Sequence, residues 1–160
     1  MKIFVTLGSS TQNFNRLLNE IDNLILNEVI NVKYIVVQSN SNDYIPKNYI
    51  LSKKLSLIEY KNCLKNCDVL ITHGGVGSIT DGLFNNKKVI SFPRLSKYHE
   101  AVNDHQVQIV NKFYNEGYIL TGNINDLEEI LKRVDSFKPS IYKSNNDDFN
   151  NKLISIIDNL

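Results

Sequence analysis

An open, mostly parallel α/β sheet is the fold class the sequence predicts, on two observations. Short runs rich in branched and aromatic residues alternate along the chain with segments whose apolar residues recur at helical spacing. Three polar loops, at 8–11, 73–78 and 93–106, each follow such a run. A parallel sheet gathers its ligand contacts there, beyond the carboxyl ends of its strands. The 160 residues amount to one domain, and a hydrophobic fraction of 42% is ample for a single core.

The elements follow in order. Lys2 to Leu7 (KIFVTL) is a strand, broken by Gly8-Ser9-Ser10-Thr11. Phe14, Leu17, Leu18, Ile21, Leu24 and Ile25 then keep helical periodicity. Tyr34 to Val37 (YIVV) is continuous in apolar character, as a strand covered on both faces would be. The polar stretch 39–55, with Pro46, predicts a loop and a short strand near 49–55. Leu57 to Cys67 reads as a helix, Val69 to Thr72 as a strand, Ser78 to Asn86 as a helix, and Lys88 to Phe92 as a strand. Pro93 to Glu100 is a loop. Asn103 to Glu116 is a helix with Val107, Val110 and Tyr114 along one face and Gly117 as its C-cap. Tyr118 to Leu120 is a short last strand and Asp126 to Val134 a helix. Residues 1–135 thus form the main domain. Residues 136–160 form a connector with Pro139 and a C-terminal helix with Phe149, Leu153, Ile156 and Leu160 on one stripe.

Composition narrows the function. Lys and Arg number 18 against 17 Asp and Glu, with no charged tract, so nothing favours nucleic acid as a partner. The opening apolar run is too short for a signal-peptide core, and no run approaches the ~18 residues of a membrane span. An intracellular, cytoplasmic protein is expected. Cys63 and Cys67 fall on one face of a predicted helix, as small core or boundary side chains or as a metal or redox pair.

The stretch HGGVGSITDGL at 73–83 is the most informative. Gly74, Gly75 and Gly77 let the backbone approach a ligand closely. The helix that begins at Ser78 would point N–H groups and its positive dipole end at the loop. A diphosphate is the natural guest. Asp81 has two readings: the third residue of a capping box with Ser78, or a carboxylate accepting from a ribose diol beside the phosphates. Gly8, Ser9 and Ser10 form a second strand-end turn that could meet the same phosphates. His73 is a packed strand-end residue, a base or a ligand. His99, Glu100, Asp104, His105 and Gln106 cluster at a loop-to-helix junction, either as a solvated helix start or as groups that bond hydroxyls.

These motifs, THGGVGSITDGLFNNKKVISFPR followed by NDHQ, with IFVTLGSSTQNFNRLL at the start, resemble the donor-binding half of GT-B glycosyltransferases of the family 28 type. Within that family the chain looks most like the short subunits of two-component bacterial exopolysaccharide transferases. It is also similar to the catalytic subunits of the dolichol-pathway N-acetylglucosaminyltransferase. The resemblance covers residues 1–135 and implies a Rossmann-like domain that binds a UDP-sugar. By position, it implies that Gly75, Val76, Gly77 and Ser78 face the diphosphate, joined by Gly8 and Ser9 from the first loop and by Gly74. Asp81 would hold the ribose, where the family commonly has Glu. His105 and Gln106 would bond the sugar, and Arg94 would shape the donor side. His73 and His99 are the candidate bases.

A complete enzyme of this type has two such domains, about twice this length. The resemblance therefore implies a membrane-associated partner subunit that supplies the acceptor half and presents a lipid-linked saccharide acceptor. This chain would then lie peripherally at the inner face of the membrane. The expected chemistry is inverting transfer for polysaccharide or capsule synthesis, with no cofactor and, lacking an Asp-x-Asp motif, no metal. The competing reading is a non-catalytic nucleotide-sugar-binding or stabilising partner. A dinucleotide-dependent reductase is disfavoured, because Gly8 stands alone where G-x-G-x-x-G belongs.

Overall fold

The computed structural model describes residues 1–40 and 44–143. Five parallel strands form one sheet in the order β3-β2-β1-β4-β5. They are β1 (Ile3–Thr6), β2 (Ile35–Gln38), β3 (Leu51–Ser52), β4 (Val69–His73) and β5 (Lys88–Phe92). The helices are α1 (Asn15–Leu26), α2 (Leu57–Asn66), α3 (Val76–Phe84), α4 (His105–Asn115) and α5 (Leu127–Val134). Pairing is in register from Ile3↔Val69 to Thr6↔Thr72, so β1 and β4 end side by side.

Side chains alternate across the strands and build a core on each face. Val5, Ile71 and Ile90 pack with Leu17, Leu18 and Ile21 of α1 and with Leu127 and Ile130 of α5. Phe4, Leu70 and Val89 pack with Leu64 of α2, Ile79 and Leu83 of α3 and Val110 of α4. Coverage of both faces explains why β1, β4 and β5 read as unbroken apolar runs, whereas β2, expected to be covered on both faces, leaves Val36 exposed. Gly82 lets α3 lie close on the sheet: a Cβ there would sit 2.6 Å from Val89 Cγ2 and 2.7 Å from Leu70 Cδ2. Successive strands step outward on either side of β1, to β2 and β3 one way and to β4 and β5 the other. The strand order therefore reverses between β1 and β4, the point at which such a sheet opens a crevice.

Several boundaries differ from expectation. The predicted strand at 118–120 is a single bridge, Ile90↔Leu120, because only Leu120 exchanges ladder bonds, with Val89 and Ser91. Tyr34 belongs to a 3-10 turn capped by the Asn31 side chain, so β2 starts one residue later. The predicted short strand near 49–55 contracts to Leu51–Ser52. Helix α2 carries a complete capping box, between Ser56 and Glu59. Cys67 is buried at its end with its thiol on the Leu64 carbonyl, and Cys63 is half-buried; both are free thiols, which fits the core-and-boundary reading. The predicted helix at 150–160 lies outside the described residues. No helix among the described residues is long and apolar enough to cross a membrane.

Candidate functional site

A cleft of about 720 Å³ opens at the β1/β4 switch point. Gly8, Ser9, Gly77, Ser78 and Asp81 all line it, so five of the residues singled out in the sequence converge there. The rest of its wall, which includes Gln38, Asn40, Lys53, Leu55, Leu57 and Tyr60, was missed by sequence reasoning. The signal was available: Gln38 and Lys53 stand at or just beyond the carboxyl ends of β2 and β3, which the same strand-end rule includes.

Polar contacts, one of them buried, fix the first loop. Thr6 Oγ1 donates to Gln38 Oε1 at 2.7 Å, and Gln38 Nε2 donates to the carbonyls of Gly8 and Lys53, each at 3.2 Å. Asn40 Nδ2 donates to the Ser9 carbonyl at 3.0 Å. Gly8 has φ +72°, where a side chain is strained, and a Cβ there would lie 2.8 Å from His73 Cε1. Glycine at position 8 is therefore demanded by both backbone and packing.

The glycine loop is tighter than the sequence suggests. Helix α3 begins at Val76, not Ser78: Gly75 is the N-cap, and Ile79 N–H donates to its carbonyl at 3.1 Å. This excludes the Ser78–Asp81 capping box, since no side chain caps α3. The N–H of Gly74 donates to Gln106 Oε1 at 3.2 Å and that of Gly75 to the His73 carbonyl at 2.8 Å. Those two amides are used within the loop. The N–H groups of Val76, Gly77 and Ser78 precede the first intrahelical donor and point out of the helix end. A Cβ on Gly77 would meet no atom within 4 Å, so this glycine borders open space. The Val76 side chain is exposed.

Gly74, Arg94 and Gln106 converge elsewhere. Gln106 Oε1 accepts from both Gly74 N and Arg94 N, the latter at 3.0 Å, and so ties the β4 and β5 loops to the start of α4. A Cβ on Gly74 would lie 2.8 Å from Gln106 Cβ. The Arg94 side chain is fully buried, with Nη2 donating to the Leu7 carbonyl at 3.1 Å and the guanidinium over the Phe14 ring. It supports the first loop from beneath and does not line the cleft.

The histidines have separate settings. The His73 ring is wedged against Gly8 and against the position a Cβ on Gly75 would take. Burial, helped by the nearby Arg94 charge, lowers its pKa to about 4, so the ring is neutral at pH 7. His99 is exposed, with φ 56°, on the loop after β5. His105 is exposed at the start of α4, and its Nδ1 lies 3.3 Å from Gln108 Oε1. The loop carrying His99 is held by Arg16 of α1, which makes a two-pronged ion pair with buried Glu100 at 2.7 and 2.8 Å and stacks on Tyr98. Ser96 N–H also donates to Asp104 at 2.7 Å.

A five-stranded parallel sheet with a cleft at its β1/β4 switch point defines an α/β domain of the Rossmann-like class. The chain belongs to the glycosyltransferase family 28 C-terminal domain family, whose pattern matches residues 2–160. It is 42% identical over 69 residues to the UDP-N-acetylglucosamine transferase subunit ALG13 of Candida glabrata, covering 42% of this chain and 33% of that protein. It is 26% identical over 146 residues to a UDP-N-acetylglucosamine–N-acetylmuramyl-(pentapeptide) pyrophosphoryl-undecaprenol N-acetylglucosamine transferase of Prochlorococcus marinus, covering 85% of this chain and 39% of that enzyme. These alignments thus span between a third and two-fifths of the relatives' length. Among solved structures, that of ALG13 matches with a TM-score of 0.61 at 21% identity, covering 93% of this chain and 92% of that one. The glycosyltransferase of kitacinnamycin matches with a TM-score of 0.56 at 17% identity, over 85% of this chain and 35% of that one. These structures establish the shared fold.

Proposed function

We propose that the chain is the donor-binding component of a glycosyltransferase, that it takes a UDP-sugar, and that UDP-N-acetylglucosamine is the first donor to test. One observation carries the reading: Gly77 with the open space over it, Ser78 in the first turn of α3, and Asp81 line one cleft at the switch point. The amides and dipole of α3 receive the diphosphate. Asp81 accepts from ribose hydroxyls, and the apolar side formed by Leu55 and Leu57 takes the base. The choice of sugar follows the named activity of the relatives.

In the reaction, an acceptor hydroxyl oxygen bonds to the anomeric carbon as the bond from that carbon to the diphosphate oxygen breaks. UDP leaves with the electron pair, and the acceptor proton passes to a base. The α3 amides stabilise the charge growing on the leaving diphosphate. The acceptor hydroxyl must be held within about 3 Å of its base, which requires an acceptor domain. In this proposal a membrane-associated partner supplies that domain and a lipid-linked saccharide of polysaccharide synthesis, and the chain works at the inner face of the membrane through that partner. The naming of one relative as a transferase subunit supports this division. The test is transfer of labelled N-acetylglucosamine to a lipid-linked saccharide in membranes, with and without the purified chain. Activity is expected only in the mixture, and robust transfer by the chain without membranes refutes the split. His73→Ala and His99→Ala in that mixture show whether this chain supplies the base.

A further inference from the structure

Tyr60 appears in none of the sequence motifs, yet it forms part of the cleft wall. Its ring is set edge-on against Phe4 of β1, with centroids 5.5 Å apart and an interplanar angle of 70°. Its hydroxyl donates to Asp81 Oδ2 at 3.0 Å, across from α2 to α3. Ser78 lines the same cleft beside them. Tyr60 and Asp81 therefore form a hydrogen-bonded pair across α2 and α3 on the cleft wall, next to the start of α3.

Asp81 is exposed, so water alone would satisfy its carboxylate. A short acidic side chain on an exposed helix face samples several rotamers, and binding must freeze one of them. The ring packing makes the tyrosine hydroxyl a fixed point. We propose that Tyr60 is a positioning residue for ribose recognition: its hydroxyl holds Oδ2 of Asp81 and so presents Oδ1 to the ribose hydroxyls. This rests on the nucleotide-binding reading above and adds the group that makes a short Asp serve at that position. It also predicts that sugar-ring selectivity is set jointly by α2 and α3.

The test measures UDP and 2′-deoxy-UDP binding by calorimetry. Tyr60→Phe keeps the ring against Phe4 and removes only the hydroxyl. The parent is expected to prefer UDP by roughly tenfold, as one hydrogen bond to a charged group allows. In Tyr60→Phe that preference should fall to about twofold with the melting temperature unchanged. A second measurement is a cycle with Asp81→Ala: on that background Tyr60→Phe should cost nothing further, because its action runs through Asp81. Equal loss for both nucleotides, or a further loss on the Asp81→Ala background, overturns the positioning role. UDP binding by the parent with an unchanged preference in Tyr60→Phe overturns this inference alone; no UDP binding by the parent overturns the nucleotide reading with it.

Discussion

Gly77→Ala separates the demands of folding from those of the ligand. Gly77 is the second residue of α3, its φ is not positive, and its added Cβ would touch nothing within 4 Å. Folding does not need glycine there. Alanine at a compatible position stabilises by about 0.4–1 kcal/mol, chiefly through the unfolded chain. For a domain of this size that raises the melting temperature by roughly 1–4 °C. The same methyl group occupies the space where a diphosphate would approach the backbone. A loss of UDP affinity of about tenfold or more, roughly 1.4 kcal/mol, is therefore expected. Thermal melts with and without UDP read both effects in one experiment: a higher midpoint for the free variant, and a smaller UDP-dependent shift than in the parent. Stabilisation with undiminished UDP binding refutes the placement of the diphosphate. Destabilisation refutes the assignment of Val76 as the first helical residue.

Asp81→Asn should weaken UDP binding by about 1–3 kcal/mol, as loss of a hydrogen bond to a charged group does. Its melting temperature should hold within about a degree, since Asp81 is exposed and caps nothing; calorimetry and melting check the two halves. His73, with an ordinary value of 6.5 lowered to about 4, binds its proton more readily in the unfolded chain. Its contribution is complete above about pH 6.5 and is lost as pH falls toward 4, a change of roughly 3 kcal/mol by linkage. Denaturant unfolding across that range should show the slope, and His73→Asn should lack that part of it. Arg16→Met leaves Glu100, whose side chain is 4% exposed, without its cation. A loss of about 2–3 kcal/mol is expected from urea unfolding, with faster proteolysis in the segment 95–104.

The fold was legible because the strands are covered on both faces, so β1, β4 and β5 appear as apolar runs bounded by Gly, His and Pro. The alternation of those runs with amphipathic helices then dictates a parallel sheet. Local chemistry misled where tertiary contacts decide. Serine is a strong N-cap, so the sequence favours a start of α3 at Ser78. The chain instead turns at Gly75, where the His73 ring and Gln106 hold the loop. Tyr118 to Leu120 is strand-like in sequence, yet it meets β5 through a single bridge at Leu120. At the site, Gly8, Ser9, Gly77, Ser78 and Asp81 were legible because glycine spacing and a strand-end loop leave a local mark. Tyr60 was not, since it reaches the cleft through contacts of α2 with β1 and α3 that are remote in sequence. Arg94 was legible as a strand-end residue, but its burial under Leu7 depends on how the first loop lies over it.

The central claim is that a UDP-sugar binds at the α3 helix start. Titration of isotope-labelled chain with UDP-N-acetylglucosamine, followed through backbone amide resonances, tests it most directly. The largest shifts are predicted at Val76, Gly77 and Ser78, with Gly8, Tyr60 and Asp81 next. The amides of Gly74 and Gly75, already bonded within the loop, should shift less. Absence of saturable shifts, or shifts centred away from the β1/β4 crevice, would contradict the account.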